Sequence, residues 1–194
     1  MAKASVQVKG AWQQRSVVLG TVLALVAVAI AVVAYNRSRQ NVAGQLSGVP
    51  EGVLVGQRAL NFTLQTADGR TVSLVDYHGR PVLVNFWGTW CTICRHEFPA
   101  FEQVYQRYQD QGFEILTVNI GESTAVVSQY AKNMGLSMPM LLDSDRSVTQ
   151  AYRVFGTPTN IFVDKNGIIT ERMTQELEQE ALVQRVENLL RQVS

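Results

Sequence analysis

The two cysteines of this chain stand three apart in Trp90-Cys91-Thr92-Ile93-Cys94, and there are no others. Ahead of them runs Val82-Leu83-Val84-Asn85-Phe86-Trp87, an apolar stretch that reads as a buried strand opened by Pro81. Behind them Phe98, Phe101, Val104, Tyr105 and Tyr108 recur at helical spacing, which predicts a helix from the pair to about Asp110, kinked at Pro99. The pair therefore sits where a strand hands over to a helix. The aligned peptide dipoles of a helix leave partial positive charge at its N-terminus, and that field favours a thiolate over a thiol. A thiolate attacks disulfides, and a second sulfur one turn away can resolve the resulting mixed disulfide within the same chain.

Other uses of two cysteines fit less well. A structural bridge closing so small a loop removes little chain entropy and would be a poor staple. Zinc needs four ligands at recognisable spacing, and the only histidines are His78, in a predicted turn, and His96, two residues after Cys94. A copper(I)-binding module remains an alternative, because two thiolates can hold a soft ion, although no Met or His cluster accompanies them. No metal or other cofactor is expected.

Residues 16 to 35 carry no charge. At about 1.5 Å per residue they reach about 30 Å, the hydrocarbon thickness of a bilayer. Trp12 precedes the run and Tyr35 ends it, as interfacial aromatics do. A cleaved signal peptide competes with this reading, but its apolar region is shorter, about 7–15 residues. The small residues Ala29 and Ala31 lie inside the run, and no cysteine near its end offers a lipid attachment point. An uncleaved signal anchor is expected at 16–35, contacting the lipid bilayer. Lys3, Lys9 and Arg15 precede it and Arg37 and Arg39 follow, a bias that leaves residues 1–15 in the cytoplasm and the rest outside. Disulfides form and need managing in that outer setting. Beyond residue 35 there are 14 basic and 16 acidic side chains, so no basic face is indicated and nucleic acid is not an expected partner.

Residues 36 to 52 are polar and rich in small side chains, the composition of a tether. From residue 53 the periodicities predict strands and helices in alternation. Phe62, Leu64, Val72 and Leu74 flank Asp68-Gly69 as a hairpin. Phe113 to Ile120 reads as a strand, Ala125 to Met134 as a helix, Met140 to Leu142 as a short strand and Ser147 to Tyr152 as a short helix. Thr159 to Val163 and Ile168 to Arg172 flank the turn Asp164-Lys165-Asn166-Gly167, and Leu182, Val186, Leu189, Leu190 and Val193 mark a closing helix. The sum is an α/β domain whose mixed sheet is covered on both faces.

At this point the chain resembles the thioredoxin fold, and within it the membrane-anchored ResA/TlpA-like thiol–disulfide oxidoreductases. The resemblance is carried by the run Asn85 to Pro99, by Gly156-Thr157-Pro158-Thr159 and by Asp164-Lys165-Asn166-Gly167. It implies a thioredoxin-like domain over 53–194, with a central mixed β-sheet flanked by helices and an N-terminal transmembrane helix. It also implies that Cys91 is the exposed attacking sulfur and Cys94 the buried resolving one, together a redox-active disulfide. Pro158 would be a cis-proline facing them, with Thr157 offering backbone to an extended substrate; read alone, Pro158 is an ordinary trans loop proline. Trp90 belongs to the rim of the site and is grouped with these substrate-binding residues, while Trp87 is core.

Thioredoxin carries a buried aspartate beneath its cysteines, and the matching position here is Asn85, which cannot titrate. ResA-like proteins have a glutamate where this chain has Glu97, on the Cys94 face of the helix, so the resemblance makes Glu97 a catalytic proton partner of Cys94. The alternative is a solvated helix glutamate. His96 is expected to be exposed and without a catalytic role. Ile93 departs from the family, which often has proline there, so its redox poise does not carry over. The implied activity is reduction of oxidised protein thiols outside the cytoplasmic membrane, with apocytochrome c as substrate in cytochrome c maturation and a membrane thiol–disulfide transporter as electron source. A disulfide-forming or isomerising enzyme is the alternative. A peroxidase is disfavoured, since Gly88 and Val84 occupy the places where peroxiredoxins need threonine and proline.

Overall fold

The computed structural model describes residues 26–33 and 48–192. The chain divides into two units, Met1–Gly48 and Val49–Ser194. In the first, residues 26–33 form a helix, α1, on which Val26, Val28, Ile30, Val32 and Val33 are exposed. The rest of the predicted 16–35 span, the predicted tether up to residue 47 and Val193 lie outside the described residues. Among the described residues no helix is long and apolar enough to cross a membrane.

The second unit is built on a seven-stranded sheet. Its strands are β3 (Thr63–Thr66), β4 (Thr71–Ser73), β5 (Val82–Trp87), β6 (Glu114–Ile120), β7 (Met140–Asp143), β8 (Thr159–Val163) and β9 (Ile169–Met173), in the order β4-β3-β7-β6-β5-β8-β9. β5, β6 and β7 run parallel, whereas β3 joins β7 and β8 joins β5 in antiparallel sense, so the sheet is mixed as expected. A small parallel pair, β1 (Glu51–Gly52) and β2 (Arg58–Ala59), forms a second sheet, joined just ahead of β9 by a bridge between Arg58 and Ile168. β1 falls in the stretch read from composition as tether, and pairs instead with β2, seven residues on.

Every residue of β5 and β6 is buried, because helices cover both faces of the sheet. Alternation sorts the side chains: Leu83 and Trp87 face one layer, and Val82, Val84 and Phe86 face the other. The first layer holds α2 (Thr92–Tyr108), α3 (Thr124–Met134) and α5 (Gln179–Arg191), the second α4 (Ser147–Ala151) and a 3-10 turn at Leu74–Tyr77. Trp87 lies edge-on to Phe98 of α2, with ring centroids 4.6 Å apart, which anchors the helix directly behind the cysteines. α2 runs unbroken through Pro99, its eighth residue.

Candidate active site

β5 ends at Trp87 and the chain turns at Gly88–Cys91, closed by the Cys91 amide donating to the Gly88 carbonyl at 3.0 Å. Cys91 is the N-cap of α2, with extended backbone (φ −84°, ψ 106°), and its Sγ accepts from the Cys94 amide at 3.1 Å. Sulfur thus takes the capping position that an oxygen side chain usually fills, and it receives one of the helix's free amides. The first turn of α2 carries no carboxylate, so no acidic side chain there offsets the positive end of the helix. Cys91 and Cys94 are joined as a disulfide with Cα atoms 5.3 Å apart. Cys91 is the more accessible of the two, at 7 % against 0 %, but it is not the exposed sulfur the resemblance implied. The cause is geometric: in the bonded pair its Sγ is turned in toward Cys94 and the helix amides.

The turn before Cys91 is tied from outside. Thr89 donates its backbone amide to Glu122 Oε2 at 2.7 Å and its hydroxyl to Glu122 Oε1. Asn119, at the end of β6, also donates to Oε2 at 2.7 Å, and its Oδ1 accepts from the Glu122 amide at 3.2 Å. Trp90 is 61 % exposed, and its indole folds back over Gly88.

Glu97 is 2 % exposed, so it is not the solvated helix residue of the alternative reading. Its Oε1 accepts from the Leu177 amide at 2.7 Å and from Asn160 Nδ2 at 3.2 Å, while Oε2 is buried without a partner. Burial pushes the carboxyl up to about 7, with a further rise from the Glu176 charge, against the lowering effect of the two donors. Asn85, buried beneath α2, donates to Asn160 Oδ1 at 2.8 Å. Glu97 lies one helical turn beyond Cys94, so a carboxyl that can exchange a proton near neutrality stands on the resolving-sulfur side of the helix.

β8 pairs antiparallel with β5, Thr159 opposite Phe86. That register brings Thr157 and Pro158 alongside the end of β5, next to the turn that holds the cysteines. The Thr157–Pro158 bond is cis, Pro158 is buried and Thr157 is half-buried. Thr159 Oγ1 closes the loop by donating to the Gly156 carbonyl at 2.7 Å. Arg172 Nη2 holds the loop's other end by donating to the Arg153 carbonyl at 2.9 Å. Phe155, between those two points, is 95 % exposed. His96 is exposed on α2, and among the described residues no group of three or more His, Cys, Asp or Glu is arranged to hold a metal ion.

Three residues of this arrangement escape a reading by motif. Asn160 follows Thr159 at the start of β8, ahead of its apolar run Ile161-Phe162-Val163, and only its burial sets it apart. Glu122 and Leu177 act through a loop and a backbone amide, and nothing local marks either.

Residues 55–172 match the AhpC/TSA family. Over 137 residues the chain is 40 % identical to the thiol–disulfide oxidoreductase ResA of Geobacillus thermodenitrificans, covering 71 % of this chain and 79 % of the relative. Identity to ResA of Bacillus subtilis is 38 % over 131 residues, 66 % of this chain and 73 % of the relative. Among solved structures, the thioredoxin domain of a thiol–disulfide oxidoreductase from Bacteroides vulgatus superposes with a TM-score of 0.65 at 29 % identity, over 72 % of this chain and 99 % of the other. StoA of Bacillus subtilis gives 0.58 at 25 % identity, over 64 % and 95 %.

Proposed function

The chain belongs to the AhpC/TSA family and is a thiol–disulfide oxidoreductase of the ResA type, and we propose that it reduces oxidised protein thiols on the outer side of the cytoplasmic membrane. Residues 16–35 anchor it in the bilayer, and its substrate is apocytochrome c, whose haem-attachment cysteines must be reduced before haem is joined. The observation that carries this reading is the Cys91–Cys94 disulfide at the mouth of α2, with the buried Glu97 one turn beyond it.

In the dithiol form, the Cys91 thiolate attacks one sulfur of the substrate disulfide and expels the other as a thiolate, which takes up a proton. Cys94 gives its proton to Glu97, and its thiolate attacks Cys91 Sγ. The Cys91–Cys94 bond forms, the second substrate sulfur leaves and is protonated, and two electrons have passed to the substrate. Trp90, Thr157 and Pro158 line the approach, with the Thr157 backbone available to an extended segment. Each cycle leaves the protein oxidised, so turnover requires a dithiol donor, here a membrane thiol–disulfide transporter.

The test is a trap. Cys94→Ala leaves Cys91 unable to be resolved, so its partners stay covalently attached. Apocytochrome c and a membrane thiol transporter are expected among the adducts from cells, released by dithiothreitol and absent from the Cys91→Ala, Cys94→Ala double variant. Adducts confined to cytoplasmic proteins would sink the reading. So would a reduction potential near that of a strong oxidant, about −120 mV.

A further inference from the structure

Beneath α2 a chain of buried amides runs in one direction. Asn85 Nδ2 donates to Asn160 Oδ1 at 2.8 Å, and Asn160 Nδ2 donates to Glu97 Oε1 at 3.2 Å. Asn85 and Asn160 are fully buried, and Glu97 nearly so. The amide orientations are set by the network. Turning Asn160 over would place its oxygen against the Glu97 carboxylate and its nitrogen against the Asn85 nitrogen, two repulsive contacts in place of two hydrogen bonds.

The consequence falls on Glu97. Its Oε1 faces two donors, the Leu177 amide at 2.7 Å and Asn160 Nδ2. A proton on Oε1 would point at one of them and break that contact. Oε2 is buried and has no partner, so it is the oxygen at which the side chain can gain or lose a proton without disturbing its hydrogen bonds. The groups that act on the carboxyl are the Leu177 amide, Asn160 and the exposed Glu176, with Asn85 behind Asn160 and Cys94 one turn back along α2.

We propose that Asn160 is a positioning residue for Glu97: it holds Oε1, is itself held by Asn85, and thereby confines the exchangeable proton to Oε2. The proposal deepens, and rests on, the reading of Glu97 as proton partner of Cys94. The Asn160 donor stabilises the carboxylate over the carboxylic acid, so its removal makes Glu97 harder to ionise. The buried Asn160 in β8 is thereby explained by its hold on the proton-accepting group.

The experiment uses the full chain with Glu97 and the other glutamates labelled at the δ-carbon. In the oxidised protein, where the cysteines do not titrate, the Glu97 carboxyl resonance is followed against pH, with Glu97→Gln identifying it. Asn160→Leu, close in size but without a donor, is expected to raise the midpoint by about one pH unit. Asn160→Ser, which cannot reach Oε1, gives the same shift and serves if the leucine variant does not fold. Single-turnover reduction of a synthetic peptide closed by one disulfide is then measured across pH with the reduced protein. The limb that disappears in Glu97→Gln is expected to move by the same amount in Asn160→Leu, and the double variant to match Glu97→Gln. A midpoint shift below about 0.3 units in both Asn160 variants overturns the proposal. Should the midpoint move while Glu97→Gln leaves the rate profile intact, the proton-partner reading falls and the positioning of Glu97 by Asn160 stands.

Discussion

Thr89 gives both of its hydrogen-bond donors to the Glu122 carboxylate, the amide to Oε2 at 2.7 Å and the hydroxyl to Oε1. Thr89 lies two residues before the N-cap sulfur, and Glu122 lies just past the end of β6, paired beside β5 in the sheet. The turn that delivers Cys91 is therefore fixed at two points, by the buried Trp87 where it leaves the sheet and by Glu122 at its middle.

Loss of that tie should be felt at the sulfur. Glu122→Ala leaves the Thr89 and Asn119 donors to find water, and hydrogen bonds to a charged acceptor contribute about 1.5–3 kcal/mol each. A Cys91 displaced by a fraction of an ångström reacts more slowly; about tenfold is expected in the single-turnover reduction rate. Thr89→Val, which keeps the amide contact, should cost less. The two effects should not add in the double variant, because both variants disturb one contact. Simple additivity in rate and in urea unfolding would show that the two residues act separately.

Gly88 makes room for Trp90. A Cβ built on Gly88 would stand 2.4 Å from the indole Nε1 and 2.5 Å from Cε2. Trp90 is mostly exposed and free to swing outward, so Gly88→Ala should fold with little loss, within about 0.5 kcal/mol. The ring would leave its place beside the turn. Tryptophan fluorescence, compared with Trp90→Phe, should show that residue shifted toward the emission of a fully hydrated indole. Unchanged emission together with a large loss of stability would contradict this arrangement.

Asp143 anchors the start of α4. It is fully buried at the end of β7 and accepts from the Val148 amide at 3.1 Å, the Thr149 amide at 2.7 Å and the Thr149 hydroxyl. These donors open α4, the helix that leads into the loop carrying Thr157 and Pro158. Asp143→Ala should cost about 2–4 kcal/mol in urea unfolding, since it leaves buried donors unpaired. Asp143→Asn, which keeps an acceptor oxygen, should recover part of the loss; equal losses in the two variants would argue for the charge alone.

Much of the domain is legible in the sequence because its signals are local. The apolar run at Val82–Trp87, the Asp68-Gly69 turn and the stripe of α5 each carry their own periodicity, and the strands and helices stand within a residue or two of the expected places. β1 and β2 were not legible. They are two residues long and pair with each other only seven residues apart, and β2 is held besides by a distant contact, the Ala59 amide to the Gly167 carbonyl at 2.9 Å.

The site divides in the same way. Cys91 and Cys94 stand out from their spacing alone, whereas Glu97, Trp90, Thr157 and Pro158 are candidates through the family resemblance, and a local reading makes Pro158 a trans proline where its bond is cis. The solvation of Glu97 was not decidable from helical spacing, because the lid over it comes from Leu177, eighty residues on. Glu122 had no motif at all, since its role depends on β5 and β6 lying side by side. Asn160 looks like an ordinary polar residue at the start of β8 beside Thr159, and its meaning requires its partners Asn85 and Glu97.

The burial of Glu97 carries a thermodynamic consequence with a definite sign. Its carboxyl rises from 4.5 to about 7 on folding, so between those values the folded protein binds a proton that the unfolded chain has released. Stability from this group is therefore greatest below pH 4.5 and is lost as pH rises toward about 7, reaching a penalty of about 3 kcal/mol above it. Glu97→Gln keeps an acceptor for Leu177 and Asn160 and removes the charge. In the oxidised protein it should flatten the decline between pH 4.5 and about 7, leaving the variant more stable than the parent at the upper end. The check is urea unfolding of both proteins at several pH values. A parent whose stability rises across that interval, or a variant that follows the same slope, would show that Glu97 is ionised and satisfied in the fold, and would remove it from consideration as the acceptor of the Cys94 proton.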